Sequence, residues 1–201
     1  VLGGAAVGAR LGAIVSLLPR VQALVLGGGL GSLFLAAQNR NLGATPVDKK
    51  RLEEARVILR MVKEREIGLH LPVDHVVAPA DDPAGDSAVV DAGRVPEDKQ
   101  VVDIGPITAA RFADAIGEAR TLFWSGPMGV YEVPALRAGT ERVAQAVAQV
   151  SGYSVVSGDD SVEAVHLSGV TPFISHLSAG GDATMAFVEG KELPGLVALD
   201  S

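Results

Sequence analysis

Glycine is concentrated at the ends of short apolar segments, where backbone groups could bind a flat or charged ligand. Glycine accounts for 24 of the 201 residues, about twice the usual share of roughly 7%. Five groups follow apolar runs: Gly3-Gly4, Gly27-Gly28-Gly29, Gly126 with Gly129, Gly158, and Gly180-Gly181. Because glycine has no Cβ, it lets backbone N–H groups approach a base or a phosphate closely. Glycine also serves simply to form short strand-to-helix turns, but its repetition at five junctions favours a nucleotide-binding cleft.

The absence of several common motifs narrows the possible chemistry. The chain has no G-x-x-x-x-G-K-[ST] motif, so it is not a P-loop protein. The run 27–32 is close to G-x-G-x-x-G but has Ser32 in place of the third glycine, so the dinucleotide fingerprint fails. There is no G-x-S-x-G motif, which disfavours a hydrolase of the nucleophile-elbow type. No pair of histidines shares helical i, i+4 spacing with a carboxylate, so metal ligation by histidine is disfavoured.

Composition argues against several further classes of protein. The chain has 17 basic and 24 acidic residues, a net charge of −7, and no basic stripe, which argues against nucleic acid as a partner. It has no cysteine, which fits a reducing compartment, and we expect a cytoplasmic protein. There is no run of 18 apolar residues, so no membrane span is predicted. The N-terminus has neither a signal-peptide pattern nor a methionine, and we interpret it as the cut edge of a longer chain.

Short apolar runs alternate with longer segments of helical period. The predicted strands are Val1-Leu2, Ala23–Leu26, Gly68–Leu71, Arg120–Trp124, Ser154–Val156 and Phe173–Leu177. The predicted helices are Arg10–Leu18, Leu30–Gln38, Asp48–Arg65, Ile107–Glu118, Gly139–Val150, Asp160–Leu167 and Asp182–Val188. The segment Pro79–Gly93 is interpreted as an exposed loop or a short hairpin. Apolar strands that alternate with helices predict a three-layer α/β/α fold with an open, mostly parallel, Rossmann-like sheet.

Three segments resemble motifs of one known family. Residues 123–132, F-W-S-G-P-M-G-V-Y-E, resemble the W-N-G-P-M-G-V-F-E signature of phosphoglycerate kinase. Residues 1–10 resemble its L-G-G-A-K-V-S-D-K segment, and residues 173–199 resemble its H-x-S-T-G-G-G-A-S-x-E-F-L-E-G-K-x-L-P-G ending. L-P-V-D at 71–74 and D-I-G-P at 103–106 are also similar to family motifs. By this resemblance, residues 1–201 form one domain, similar to the C-terminal, nucleotide-binding domain of phosphoglycerate kinases.

The resemblance implies a site for ATP or ADP with Mg²⁺. The implied nucleotide-binding positions are Gly3, Gly4, Arg10, Gly28, Gly29, Val102, Ser125, Gly126, Pro127, Val130, Glu132, Gly158, Asp159, Asp160 and Ser161. The first four glycines would flank the adenine, the two valines would form its apolar walls, and Glu132 would accept hydrogen bonds from the ribose. Backbone amides at 158–161 would cradle the phosphates, and Asp160 would assist the magnesium ion. Arg10, Gly180 and Gly181 are the implied catalytic positions.

Several positions depart from the family motifs in ways that oppose phosphoryl transfer. The first lysine of the L-G-G-A-K-V-S-D-K motif, which steadies the transferring group, is Ala6 here, and its second lysine is Arg10. Asp159 and Asp182 replace glycines of the phosphate turn and of T-G-G-G, and Ala179 replaces the threonine of T-G-G-G. The site has therefore lost one positive charge and gained two negative charges. Because one charge-stabilising contact is worth ~3–4 kcal/mol, or ~10²–10³ in rate, we expect impaired transfer.

The resemblance also implies a missing partner. The family has a second, N-terminal domain that binds phosphoglycerate, and these residues do not include it. The leading hypothesis is the nucleotide-binding half of an enzyme that moves phosphate between 1,3-bisphosphoglycerate and ADP in glycolysis or carbon fixation, here with a damaged transfer centre. A second hypothesis keeps slow activity: another chain supplies the missing half, and Arg10 and Asp160 suffice. A third is a non-catalytic scaffold or assembly subunit that retains only the fold.

Overall fold

The computed structural model describes residues 1–199, in which helices and strands alternate. The helices are α1 (Val7–Leu17), α2 (Gly28–Ala37), α3 (Leu52–Glu64), α4 (Pro106–Gly117), α5 (Ala138–Ala148), α6 (Asp159–Leu167), α7 (Gly181–Val188) and α8 (Pro194–Val197). All the predicted helices are confirmed, and a short 3₁₀ turn over Lys49–Arg51 leads into α3. Within residues 1–199, no helix has both the length and the apolar character that a membrane crossing requires.

The strands form one parallel arrangement and a second, antiparallel one. They are β1 (Ala23–Val25), β2 (Asn41–Leu42), β3 (Gly68–His70), β4 (Asp74–Pro79), β5 (Ala88–Asp91), β6 (Arg94–Val95), β7 (Lys99–Ile104), β8 (Thr121–Ser125), β9 (Tyr153–Ser157) and β10 (His176–Ser178). β3 pairs with β1, and β8, β9 and β10 pair in that order, all in parallel. β4 lies between β5 and β7 in antiparallel pairing, and β2 and β6 form a separate parallel pair.

Leu2 joins the two halves of the parallel arrangement. It forms parallel bridges to Leu26, directly after β1, and to Ser125, the last residue of β8. The spatial order is therefore β3, β1, the Leu2 segment, β8, β9 and β10. Counted along the chain, this is the order 3-2-1-4-5-6 of a doubly wound nucleotide-binding sheet. The predicted open, parallel, Rossmann-like sheet is confirmed, and the first apolar residues of the chain occupy its centre.

Helices cover both faces of this sheet because neighbouring strand residues point to opposite sides. Leu24 and Leu26 pack with residues of α1, α2 and α3, whereas Val25 between them packs with α4, α5 and α6. In β8, Phe123 packs towards the first group of helices and the fully buried Trp124 packs into the second. This division confirms the three-layer α/β/α expectation.

The antiparallel strands were only partly predicted. Pro79–Gly93 contains the turn of the β4–β5 hairpin, which confirms the hairpin interpretation. The sequence analysis predicts no strand over β4 or β7, and this was wrong. β4 begins with Asp74 and His75 and ends at a proline, and β7 begins with Lys99 and Gln100 and is interrupted by Asp103. Each apolar run is therefore too short to be recognised. The pairing of β4 with β7 stabilises both strands through contacts that are distant in sequence.

Candidate nucleotide site

Three glycine-containing loops meet where the strand order reverses, at the carboxyl ends of the central strands. The backbone N–H of Gly4 donates to the carbonyl of Pro127 at 2.6 Å, and that of Gly29 donates to Gly4 at 3.1 Å. Gly28 donates to the carbonyl of Met128 at 3.0 Å. In open α/β sheets, ligands bind in the crevice at this switch point. Backbone hydrogen bonds therefore bring together three of the glycine-containing loops that the sequence analysis expected to form one cleft.

This crossing requires glycine at two positions. A Cβ on Gly3 would collide with the carbonyl oxygens of Pro127 and Gly126. Gly126 has φ +92°, which side chains rarely adopt, and a Cβ there would meet the backbone of Gly3. Both glycines lie beneath the cleft, where they allow the loops above them to approach one another.

A cleft of about 900 Å³ opens above these loops. Of the positions that the resemblance implies, the cleft is lined by Gly4, Gly28, Gly29, Val102, Pro127, Val130, Glu132 and Asp160. Ala6, which replaces the family lysine, also lines it. Val102 is buried, whereas Glu132 is exposed, so the cleft combines an apolar wall with a carboxylate at its rim.

Sequence reasoning missed one wall of the cleft. Thr45, Pro46, Val47 and Asp48, which precede α3, line it opposite the glycine loops. Thr45 is held in place because its Oγ1 accepts a hydrogen bond from the backbone N–H of Val101 at 2.9 Å. This segment has no sequence motif of its own, and its position depends on hydrogen bonds to β7, which is distant in the chain.

The remaining implied phosphate positions lie at the start of α6, beside the cleft. Gly158 precedes the helix with φ +94°, and Asp159 and Asp160 occupy its first turn. Ser161 is buried, and its Oγ accepts a hydrogen bond from the N–H of Gly126 at 2.6 Å. Ser161 therefore fixes the Gly126 loop to α6, a structural contact that the resemblance did not imply. Ser125 is also buried.

Arg10 lies close to two aspartates. Its guanidinium packs beside Gly4, and Nη1 donates to the carbonyl of Ala6 at 3.2 Å. Burial lowers the pKa of Arg10, and the nearby carboxylates of Asp160 and Asp182 oppose that shift. Since an arginine remains protonated in proteins, the charge of Arg10 is attracted by both carboxylates, but its only side-chain hydrogen bond within residues 1–199 is the one to Ala6. Gly180 and Gly181 lie at the start of α7, the helix that carries Asp182.

Tyr131 makes a contact that the resemblance did not imply. The family signature has phenylalanine at this position, so the hydroxyl of Tyr131 is the difference from which the contact could have been predicted. Its hydroxyl donates to Glu163 at 2.9 Å and lies 3.5 Å from Oδ1 of Asp160. Burial and the hydrogen bond to Glu163 raise the pKa of Tyr131, so the hydroxyl keeps its proton. Tyr131, which lines the cleft, is thereby linked to two acidic residues of α6.

The charges of the cleft suit a base and a ribose better than a row of phosphates. Asp48, Glu132 and Asp160 line the cleft, and no described lining residue is lysine or arginine. Among residues 1–199, no group of three acidic or histidine side chains could hold a metal ion by itself. Asp160 fits a magnesium ion that a bound nucleotide brings with it, because Mg²⁺ is often held by one carboxylate together with substrate phosphates.

Comparisons with known proteins agree with this geometry. The family described as phosphoglycerate kinase matches residues 1–191. The phosphoglycerate kinases of Desulfosudis oleivorans and Thermomicrobium roseum are 43% and 44% identical, over 100% and 99% of this chain. The solved phosphoglycerate kinase of Coxiella burnetii superposes with a TM-score of 0.93 at 34% identity, covering 98% of this chain.

The same comparisons relate this chain to one half of those proteins. It spans 50% and 51% of the two curated relatives and 51% of the Coxiella burnetii structure. The Pyrococcus horikoshii phosphoglycerate kinase gives a TM-score of 0.85 at 31% identity, with 50% of its chain covered. The family-model match over residues 1–191 and the identities of 43% and 44% to curated relatives show that this chain belongs to the phosphoglycerate kinase family.

Proposed function

We propose that residues 1–201 form the adenine-nucleotide-binding domain of a phosphoglycerate kinase homologue whose transfer centre is impaired. The observation that carries this proposal is the cleft of about 900 Å³ at the switch point of the sheet, closed from below by crossing glycine loops. Family membership supports ATP or ADP as the ligand, and a partner N-terminal domain as the site for the phosphoglycerate. A role in cytoplasmic glycolysis or carbon fixation follows from the same analogy.

In the proposed complex, the adenine lies between the Gly28-Gly29 loop and the apolar wall that Val102 and Val130 form. Glu132 accepts hydrogen bonds from the ribose hydroxyls at the rim. The N–H groups of Asp159 and Asp160 have no backbone partner within residues 1–199, whereas that of Ser161 donates to the carbonyl of Gly158 at 3.0 Å. The two free N–H groups lie at the N-terminal end of α6, where a phosphate can accept them. A magnesium ion, when bound with the nucleotide, neutralises phosphate charge, and Asp160 is positioned to hold it.

The side-chain charges around the proposed phosphate positions are the reason to expect impaired phosphoryl transfer. Ala6 leaves the cleft wall without the ammonium group of the family lysine. Arg10 lies near Asp160 and Asp182, whose carboxylates compete with phosphate oxygens for the guanidinium. Phosphoryl transfer depends on stabilisation of negative charge in the transition state. Base and ribose contacts therefore persist in this chain while the contacts that accelerate transfer are weakened.

Calorimetric titration with adenosine, ADP and MgATP tests the proposal. We expect adenosine and ADP to bind more tightly than MgATP. Glu132→Ala should weaken adenosine binding by roughly tenfold or more, since it removes hydrogen bonds to a charged acceptor. Glu118→Ala, an exposed residue at the far end of α4, is the matched control and should leave binding unchanged. MgATP affinity at least tenfold above that of adenosine would show that the charge argument is wrong.

One observation favours a second candidate, a non-catalytic scaffold. The carboxylates of Asp160 and Asp182 lie within electrostatic range of Arg10 and offset part of its charge, as expected if the fold were kept without nucleotide binding. The same titration separates the two functions, because a scaffold would bind none of the three ligands while unfolding as a stable domain.

A further inference from the structure

A second cavity, of about 410 Å³, lies beside the end of β3 and shares no lining residue with the nucleotide cleft. Its walls come from the end of α2, the segment after β3, and the middle of α4. Its volume is in the range of small-molecule sites. Leu71, Pro72 and Val73 of the L-P-V-D segment line it, but the proposed function does not use it.

The polar groups of this cavity carry positive charge in an acidic protein. Arg40, Arg111 and His70 line it together with Gln38, and none of the described lining residues is acidic. The side chains of Arg40 and Arg111 form no ion pair and no hydrogen bond within residues 1–199. The whole chain nevertheless carries a net charge of −7. Two unpaired guanidinium groups at one cavity form a site for an anion, since arginine binds carboxylates in a bidentate manner.

The rest of the cavity is apolar. Leu35 and Phe112 are buried, and Leu69, Leu71 and Pro72 complete the lining beside them. A fully hydrated inorganic anion gains nothing from such walls. A ligand with a flat apolar body gains apolar burial against Leu69 and Leu71, which are both partly exposed.

The framework around the cavity is fixed before any ligand arrives. The carboxylate of Asp74 accepts hydrogen bonds from the N–H groups of Ile107 at 3.0 Å and Thr108 at 2.7 Å, and so caps α4 one turn before Arg111. On the other wall, Gly93 has φ +84°, and a Cβ there would lie 3.2 Å from Cδ of Arg40. The stem of Arg40 therefore packs over a turn that glycine allows, which orients its charged end. A preformed site loses less entropy on binding.

We propose that this cavity binds a small aromatic carboxylate, with its ring against Leu69 and Leu71 and its carboxylate on Arg40 and Arg111. The ring enters the apolar part, and the carboxylate takes up the two guanidinium groups that lack internal partners. This site is independent of the nucleotide cleft and does not rest on its proposed function.

The test uses benzoate and isophthalate as probes, with benzamide as a neutral compound of matched shape. In calorimetry or NMR titration of the intact chain, we expect benzoate to bind at least tenfold more tightly than benzamide, and isophthalate more tightly still. Arg111→Gln and Arg40→Gln should each weaken benzoate binding at least tenfold, which is ~1.4 kcal/mol. Arg111→Lys keeps the charge without the bidentate geometry and should give an intermediate loss.

Arg60→Gln is the control, because Arg60 is an exposed arginine of α3 whose nearest acidic partner is Glu53 at 3.8 Å. It should leave benzoate binding unchanged, and thermal unfolding should show that every variant is folded. Excess adenosine should not displace benzoate. The proposal is overturned if benzamide binds as well as benzoate, if the Arg40 and Arg111 variants bind normally, or if inorganic phosphate binds and benzoate does not.

Discussion

At the scale of single residues, Asp159 affects stability and ligand binding in opposite directions. It is exposed at the first position of α6, next to Asp160. Acidic side chains in the first turn of a helix interact favourably with its dipole, by about 0.3–1 kcal/mol. The same charge repels a phosphate that approaches the same helix end. The residue that helps to hold α6 together is therefore also one that opposes nucleotide phosphates.

We expect Asp159→Gly to strengthen MgATP binding about three- to tenfold, since removing one exposed like charge is worth ~1 kcal/mol. The same change should lower the melting temperature by a few degrees, because the helix loses a favourable charge and gains a glycine. Calorimetry and thermal unfolding of the same samples measure both effects.

When Ala6→Lys is added to Asp159→Gly, we expect MgATP affinity to rise by more than the two single changes together predict, because both changes act on one bound anion. Ala6 is exposed and lines the cleft, so an ammonium group there can reach a phosphate. Adenosine affinity is the control and should stay constant throughout. Equal gains for adenosine and MgATP would mean that the two residues act through general stabilisation, and the position assigned to the phosphates would be wrong.

At the scale of secondary-structure elements, Asp103 fastens β7 to α5. It is 1% exposed, and its carboxylate accepts hydrogen bonds from Gly139 at 2.6 Å and Ile104 at 2.8 Å. Burial raises the pKa of Asp103 to about 7, whereas an unfolded aspartate has a pKa of about 3.9. Between these two values the folded state keeps a proton that the unfolded state has lost. The free energy of unfolding must therefore fall as the pH rises through this window.

Asp103→Asn removes this titration and retains one carbonyl acceptor. We expect the stability of the unsubstituted protein relative to the variant to decrease between about pH 4 and 7, by up to ~1.4 kcal/mol per pH unit. Urea unfolding of both proteins at four pH values measures the difference. Because the unsubstituted protein and the Asp103→Asn variant share all other titrating groups, the contributions of those groups to the pH dependence cancel in the difference. One such group is His75, whose pKa is lowered to about 4 by burial. A difference that stays constant over this range would contradict the assigned pKa.

At the scale of the whole molecule, we expect no measurable phosphoryl transfer by these 201 residues with 3-phosphoglycerate and MgATP. In the proposed arrangement, the acid substrate binds to a domain outside this chain, whose relatives are about twice its length. Domain closure around both substrates also positions reactants and excludes water. A coupled assay tests this, with Asp160→Ala as control for a contaminating host enzyme. Turnover that scales with protein and is lost in the Asp160→Ala variant would refute the prediction.

Much of the fold could be predicted because its signals are local. The apolar spacing within α3 and the turn residues that end strands depend on a few neighbours in the chain, so each predicted helix is present. The antiparallel strands β4 and β7 were missed for the opposite reason. Their apolar centres are short, and their stability comes from pairing with each other across about 25 residues of chain.

For this protein, the sequence by itself determined the family, the layered α/β class and the glycine loops of the candidate site, because turn chemistry and motifs are encoded by adjacent residues. The tertiary structure alone decided that Leu2 occupies the centre of the sheet, that the segment 45–48 forms a wall of the cleft, and that Arg10 lies beside Asp182. It also placed Arg40 and Arg111 at one cavity. These arrangements depend on the order in which strands pair and on which helix packs over each face, and residues far apart in the chain determine both.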